Sequence, residues 1–206
     1  MNTSSQDQTV NGLAPVQDSN LGIAVSIPQT SLVKSYNYSS IITEQDCDGA
    51  IACAQSIIDA GNYFKNSPPY QTQENVFGRT EPFWLKYRMT FLTSVFLYLG
   101  KEHRVANMMA WVYMTDRKTQ PDRNTLWHHH NKHGMKGLSG ILYLRVPTSA
   151  AGTEIAPNGP EADGKFYIEP NCHTWNIYPS EVWHRPGLNP TDEFRFVLAA
   201  DIGYYE

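Results

Sequence analysis

Four of the seven histidines fall within residues 127–133 (WHHHNKH). Neutral imidazole is the commonest metal ligand among protein side chains, and residues i and i+2 of an extended strand point to the same side. His128 and His130 are therefore predicted to present two nitrogens to one metal ion, with His129 pointing outward. A third ligand must come from another part of the chain, and the candidate is His184.

A second group with chemical potential is Arg195, near the start of the apolar run 194–202 (FRFVLAADI). Strand alternation predicts that Arg195, Val197 and Ala199 share one face. If the chain returns from His184 as a hairpin, the guanidinium lies deep in a barrel, where its planar fork can bind a carboxylate through two parallel hydrogen bonds. Because a buried guanidinium has a high desolvation cost, it needs such a partner.

The elements that would position these residues are short β-type segments separated by Gly, Pro, Asn and Asp. They are residues 105–114, 126–130, 138–146, 153–155, 165–169, 174–178, 182–184 and 193–202. Their number and spacing predict an antiparallel sandwich or barrel such as a jelly roll. In a double-stranded β-helix the second and seventh core strands meet at the barrel mouth, so the histidine pair and His184 can reach one metal. Facial binding by three side chains leaves positions open for a cosubstrate and dioxygen.

Two helices are predicted before these strands. Thr43 and Asp46 form a T-x-x-D start, and apolar residues at three- and four-residue spacing follow until Gly61. Residues 83–100 keep a helical period of aromatic and aliphatic side chains. The polar segment between them, residues 63–82, is predicted to be a long loop, and both helices are expected to cover a sheet.

The amino-terminal region differs from the rest of the chain. Residues 1–20 are rich in Ser, Asn, Gln and Asp and carry few large apolar groups, so a flexible arm is predicted. Residues 23–27 and 31–36 are short β-type runs. One domain is expected over residues 21–206, with helical cover at about 43–100 and a jelly-roll core at about 105–202.

Composition limits the function classes. The formal charge of −4 and pI of about 6.0 argue against general nucleic-acid binding, which depends on clustered Lys and Arg. The three cysteines lack spacing for pairing or for a zinc site, which favours a reducing compartment such as the cytoplasm. No segment indicates a membrane span, and neither phosphate-binding glycine loops nor a nucleophile elbow occurs.

Seven segments occur in a recognisable order in the second half of the chain. They are residues 128–130 (HHH, as H-x-H), 139–144 (SGILYL), 152–155 (GTEI), 168–170 (IEP), 175–180 (WNIYPS), 183–186 (WHRP) and 195–198 (RFVL). Together they resemble the 2-oxoglutarate- and Fe(II)-dependent dioxygenases, and most of all a branch from bacteria and tailed phages in which H-x-H shortly precedes SGxxYL. The resemblance covers about residues 105 to 202.

The resemblance implies a mainly β, double-stranded β-helix (jelly roll, cupin-like) with flanking helices, Fe(II) as cofactor and 2-oxoglutarate as cosubstrate. The implied reaction is hydroxylation of an organic or peptide substrate by O2, with release of succinate and CO2. Carried over to this chain, His184 is the distal iron ligand, His128 and His130 are the proximal ligands, and Arg195 binds the C5 carboxylate of 2-oxoglutarate. Tyr143 is a candidate donor to the cosubstrate.

This chain departs from the family pattern at two points. Most members use H-x-D or H-x-E, whereas residues 129–132 contain no acid. Val197 stands where related enzymes often carry a hydroxyl for the cosubstrate carboxylate. Tyr113 is an alternative to Tyr143 as a hydroxyl donor from an inner strand.

Alternatives remain open at this stage. His129 or His133 could replace one proximal ligand, because the H-x-H of the related branch falls nearer to residue 133 when counted back from Ser139. A catalytically silent jelly roll, serving as a phage structural or interaction module with a structural metal or none, is the rival function. A cupin-like metal enzyme without 2-oxoglutarate is a third, and a homo-oligomer is compatible with the sequence.

Overall fold

Eleven β-strands and two α-helices make up the described part of the chain. The structure is a computed structural model that describes residues 32–64, 70–119, 127–130 and 136–205, together with the backbone of residues 16–18 and 23–26. The strands are β1 (Val16–Asp18), β2 (Ile23–Ser26), β3 (Lys34–Asn37), β4 (Tyr70–Gln71), β5 (Arg104–Thr115), β6 (Lys136–Arg145), β7 (Thr153–Ala156), β8 (Phe166–Tyr167), β9 (Thr174–Pro179), β10 (Trp183–Pro186) and β11 (Arg195–Tyr205). The helices are α1 (Glu44–Asp59) and α2 (Pro82–Leu99), and a 3-10 helix spans Val76–Gly78.

The strands form two antiparallel sheets. The larger sheet has the order β1-β2-β3-β9-β6-β11-β5-β4, and the smaller has the order β10-β7-β8. The long strands β5, β6 and β11 lie side by side in the larger sheet, with β11 in the middle. The predicted fold class, mainly β with flanking helices and a jelly roll, is confirmed.

Strand alternation in β11 divides its side chains between two environments. Those that pack under the helices are Phe196, Leu198, Ala200 and Ile202. Those on the opposite face, toward the smaller sheet, are Arg195, Val197, Ala199 and Asp201, and all four line one cavity. Successive side chains of a strand point to opposite faces, so the cavity-facing side of the apolar run 194–202 begins with Arg195 and ends with Asp201, both charged.

The helices begin and end within two residues of the positions that their sequences predict. In α1, the Asp46 N–H donates to Thr43 Oγ1 at 3.3 Å and the Thr43 N–H donates to Asp46 Oδ2 at 2.8 Å, a capping box that stabilises the helix by about 1 kcal/mol. Pro82 opens α2, and Gly100 ends it with a φ of 70°, a left-handed conformation that glycine adopts without steric cost. The inner face of α2 packs on the larger sheet.

Two secondary-structure predictions were wrong. Residues 63–82 are not simply a loop, because they contain β4 and the 3-10 helix. β4 forms by pairing with Met114 and Tyr113 of β5, a tertiary contact that the polar local sequence does not signal. Residues 127–130 do not form a strand: His128 pairs with His184 at a single position, and residue 126 lies outside the described part.

Most of the predicted flexible arm, residues 1–15, 19 and 20, lies outside the described residues. Within it, Val16–Asp18 forms β1 and pairs with β2. His133 also lies outside the described residues, so its role as an alternative ligand stays a prediction. Neither helix in the described part of the chain combines the length and apolar character needed to cross a membrane.

Candidate metal centre and anion pocket

His184 lies on β10 in the smaller sheet and is buried, with 5% of its surface exposed. Its Nδ1 is 3.0 Å from the Val182 carbonyl oxygen, and because a carbonyl can only accept, Nδ1 carries the hydrogen. The lone pair is therefore on Nε2, which is left for a metal. Burial, together with the neighbouring imidazoles of His128 and His130, holds the pKa of His184 well below its usual value, so the ring is neutral.

His128 is joined to His184 through the main chain. The His128 N–H donates to the His184 carbonyl at 3.1 Å, and the His184 N–H donates to the His128 carbonyl at 2.9 Å. The ring centroids of the two residues are 4.3 Å apart. This reciprocal bridge brings together two histidines that are more than 50 residues apart in sequence.

His130 is held at its backbone and at its ring. Its N–H donates to the Ser180 carbonyl at 2.8 Å, and its Nδ1 is 2.7 Å from Asp201 Oδ1. The ring stacks on His128, with centroids 5.1 Å apart, and meets the His184 ring edge-on at 4.9 Å. The ring of His130 thus faces both other histidines.

One ring nitrogen from each of His128, His130 and His184 lies within 4.8 Å of the other two. Neutral imidazole suits Fe, Zn, Cu and Ni, and three ligands on one side leave coordination positions open. The donor set therefore fits a divalent transition metal. His129 is exposed and packs edge-on against Trp183 at 4.6 Å, so it lies beside this trio and is not a member of it.

Arg195 is almost completely buried, with 1% exposure, yet it makes no ion pair with any described residue. Its Nη1 donates to the Ala151 carbonyl at 2.5 Å and to the Gly187 carbonyl at 3.0 Å, and its Nη2 donates to Thr115 Oγ1 at 3.2 Å. Its Nε is buried and has no partner among the described residues. Burial lowers the pKa of the guanidinium, as expected for a cation held without an anion.

The main chain behind Arg195 is tightly packed. A Cβ added to Gly187 would overlap the Gly152 carbonyl oxygen, and one added to Gly152 would overlap that of Ile168. These close approaches fix the Ala151 and Gly187 carbonyls that hold Nη1. The guanidinium is therefore oriented by closely packed backbone, and its Nε–H has no partner among the described residues, an arrangement that fits a carboxylate ligand.

The two candidate tyrosines have different surroundings. The Tyr143 hydroxyl accepts from the Thr153 N–H at 2.7 Å and is 2.9 Å from Thr153 Oγ1, and Tyr143 is not among the residues that line the cavity. Tyr113 does line the cavity, and its buried hydroxyl has no partner in the described structure. Burial raises the pKa of Tyr113 to about 12, so the hydroxyl remains a donor. A role for Tyr143 toward a cosubstrate stays a prediction.

One cavity of about 590 Å³ connects the histidines to Arg195. Apart from the site residues already described, its walls include Phe64, Trp111, Ile141, Tyr178 and Val197. Arg185 stacks over Trp127 at 4.3 Å and donates to Glu154 at 2.7 Å, so the residue before His128 is anchored to β7 and β10. The ring centroids of Trp111 and His130 are 5.5 Å apart, and Trp111 lines the cavity, whereas Trp175 is buried under α2.

Solved structures with the same fold include two prolyl hydroxylases and an epimerase. A prolyl-4-hydroxylase from Pseudomonas putida aligns with a TM-score of 0.56 and 13% identity over 84% of this chain and 93% of that one. A prolyl hydroxylase from Trichoplax adhaerens, in complex with a peptide fragment of hypoxia inducible factor, aligns with a TM-score of 0.56 and 12% identity over 85% of this chain and 84% of that one. A third structure is the epimerase SnoN from nogalamycin biosynthesis, in complex with Fe3+, alpha ketoglutarate and nogalamycin RO. It aligns with a TM-score of 0.54 and 12% identity over 82% of this chain and 78% of that one.

At these identities the likeness concerns the fold. No family model matches the sequence, and no curated protein matches it.

Sequence reasoning did not identify Asp201 or Thr115 as site residues. The sequence does contain a signal for Asp201, because it is an acidic residue in an apolar strand and lies on the same face of that strand as Arg195. Thr115 has no such signal: it reaches Arg195 because the two residues are direct partners in the β5–β11 register. The Thr115 hydroxyl accepts from the Arg195 guanidinium, whereas the Val197 side chain has no hydroxyl.

Proposed function

We propose that this chain is a 2-oxoglutarate- and Fe(II)-dependent oxygenase that hydroxylates an organic small molecule or a peptide. The observation that carries the proposal is the pairing, in one cavity, of three clustered imidazoles with a buried arginine that has no anion partner. A cationic group in such a position requires an anionic ligand, since an unpaired buried charge is costly. The fold of the chain is also that of an enzyme crystallised with Fe3+ and alpha ketoglutarate, the epimerase SnoN.

Each residue of the site has a separate task in this proposal. His128, His130 and His184 hold the metal, and Arg195 binds the distant carboxylate of 2-oxoglutarate, with the hydroxyls of Thr115 and Tyr113 beside it. When bound, Fe(II) and 2-oxoglutarate supply the activation of O2, with succinate and CO2 as products alongside the oxidised substrate. The aromatic and aliphatic walls exclude water from the reacting atoms, a task that the protein performs for a reactive cofactor.

The branch and the substrate belong to the proposal as well. The H-x-H arrangement motivates a relationship to oxygenases of bacteria and tailed phages. The prolyl hydroxylase neighbour holds a peptide and SnoN holds a small molecule, so both classes belong in a substrate screen. Phe64 and Trp111, which line the cavity, offer apolar contact to such a substrate.

The test is an anaerobic titration of the full-length chain with Fe(II) followed by 2-oxoglutarate, read as a visible charge-transfer band. Admission of O2 with candidate substrates is then followed by measuring succinate. We expect the band in the wild type and in His103→Ala, a histidine far from the cavity, and its loss in His184→Ala. A folded wild-type protein that binds no metal would support the silent structural module instead. Metal binding with no spectral change on addition of 2-oxoglutarate would favour a cupin-like enzyme that does not use that cosubstrate.

A further inference from the structure

The three histidine ligands bring no negative charge to the proposed metal. Two acidic side chains line the cavity in the described part of the chain, Asp201 and Glu74. Glu74 is paired with Arg79 at 2.6 Å, and both side chains are more than a third exposed. Asp201 instead lies directly behind a ligand, with its Oδ1 2.7 Å from His130 Nδ1.

Asp201 is itself fixed from a second direction. Ser139, its direct partner in the β6–β11 register, places its Oγ 2.7 Å from the same carboxylate oxygen. That hydroxyl also lies 3.1 Å from Ser180 Oγ, and the carbonyl of Ser180 receives the His130 N–H. The side chains of His130 and Asp201 are only 17% and 11% exposed, so water competes little for this contact. Backbone and ring of His130 are thus held by one connected set of groups.

This arrangement decides which nitrogen of His130 can bind a metal. A carboxylate accepts a hydrogen bond, so Nδ1 carries the hydrogen and the lone pair is on Nε2. His184 is set in the same tautomer by a main-chain carbonyl, which no substitution removes. For His130 the orienting group is a side chain, and it brings a negative charge as well.

We propose that Asp201 is a positioning residue that orients His130 and supplies, from behind the ligand, the negative charge that no direct ligand provides. The inference rests on the proposed function, since it requires that the three histidines hold a metal. A carboxylate behind a metal-bound histidine raises the basicity of the ring and fixes its direction. An acidic residue thereby acts on the metal without coordinating it.

The experiment measures binding of Co(II), used as a spectroscopic probe, to the full-length protein without 2-oxoglutarate. Asp201→Asn keeps the size of the side chain and an acceptor oxygen but removes the charge, and Asp201→Ala removes both. We expect Co(II) binding to weaken about 10- to 100-fold in Asp201→Asn and at least as much in Asp201→Ala. The matched control is Glu74→Gln, which removes the other acid of the cavity and should leave the affinity unchanged.

The visible spectrum of bound Co(II) separates positioning from coordination. We expect the band positions and intensities at saturation in Asp201→Asn to match those of the wild type, because the same three nitrogens bind. A spectrum that indicates a changed coordination number would overturn the proposal in favour of Asp201 as a direct ligand. Affinities within about twofold of the wild type in both variants would overturn it as well.

Failure of the proposed function gives a different pattern. If the folded wild type binds no Co(II), the metal site and the inference are both refuted. If the wild type binds, His184→Ala does not, and the Asp201 variants are unchanged, only the inference is refuted. Should Asp201→Asn fail to fold by circular dichroism, Ser139→Ala decides: it removes one donor to the carboxylate and must weaken binding in the same direction, and an unchanged affinity refutes the proposal.

Discussion

Arg195 offers the sharpest test of the anion pocket, because its loss should change the stability of the ligand-free protein little and the affinity for 2-oxoglutarate greatly. Arg195→Met keeps an unbranched chain of similar length and removes the charge. In the ligand-free protein it leaves the carbonyls of partly buried Ala151 and buried Gly187 without this donor, which costs up to about 1–3 kcal/mol each. It also removes a buried cation that has no counter-ion, whose desolvation penalty is several kcal/mol. Since these terms are similar in size, we expect the free energy of unfolding to change by less than about 2 kcal/mol.

Binding of 2-oxoglutarate should respond much more strongly. Truncating one partner of a buried charge pair costs about 2–5 kcal/mol, which corresponds to about a 30- to 4,000-fold loss of affinity. Urea denaturation without ligand measures the first quantity, and anaerobic calorimetry with 2-oxoglutarate in the presence of Mn(II) measures the second. Arg145→Met is the matched control, because that arginine forms an exposed pair with Asp48 and should change either quantity little.

Two results would refute this reasoning. If Arg195→Met binds 2-oxoglutarate within about threefold of the wild type, the guanidinium is not the carboxylate site, since the loss of a buried partner is far larger than that. If the ligand-free variant loses more than about 5 kcal/mol of stability, the main-chain hydrogen bonds of Arg195 outweigh its desolvation, and the residue is structural.

Three further predictions concern other parts of the site. Tyr113→Phe should leave the ligand-free protein as stable or up to about 1–3 kcal/mol more stable, because it removes a buried hydroxyl without a partner, and it should weaken 2-oxoglutarate binding in calorimetry. The folded-state pKa of His184 is depressed, so as the pH falls through its unfolded value near 6.5 the unfolded chain takes up a proton that the folded protein does not. Urea denaturation at pH 7.5 and 5.5 should therefore show about 1.4 kcal/mol more loss of stability in the metal-free wild type than in His184→Gln. Gly187→Ala should destabilise by at least about 1–3 kcal/mol in thermal or urea unfolding, because its Cβ overlaps the Gly152 carbonyl, whereas Gly78→Ala meets no atom and is the control.

Each of these has a contrary outcome. A less stable Tyr113→Phe protein would indicate that the hydroxyl is satisfied in the ligand-free state. A wild type that loses no more stability than His184→Gln at low pH would mean that the buried ring accepts a proton in the folded protein. A Gly187→Ala protein as stable as Gly78→Ala would show that the backbone behind Arg195 yields easily.

Much of the architecture could be predicted because it follows from local rules. The capping box at Thr43 and Asp46 marks the start of α1, and Gly100 marks the end of α2. Alternation in β11 separates the core residues from the cavity residues, and it predicted the shared face of Arg195 and Val197. These signals need only the residue types and their spacing.

Other features depend on contacts between distant residues and could not be predicted. Tyr113 and Tyr143 both lie on inner strands and look equivalent in sequence, but Thr153 engages only the hydroxyl of Tyr143. Likewise, Asp201 becomes part of the site only because His130 approaches it from 71 residues away. Strand register and loop path decide such contacts, and neither is encoded in a local pattern.

The reciprocal main-chain bridge between His128 and His184 has a consequence for how the molecule opens. A metal bound to both rings would act as a second cross-link beside the two hydrogen bonds, joining segments more than 50 residues apart. Binding to the folded state alone stabilises it in proportion to the logarithm of the metal concentration over Kd. Separation of these two segments would require the metal to release the ligands of at least one of them, so the rate of proteolytic cleavage near residues 127–130 would report how much of the protein carries metal.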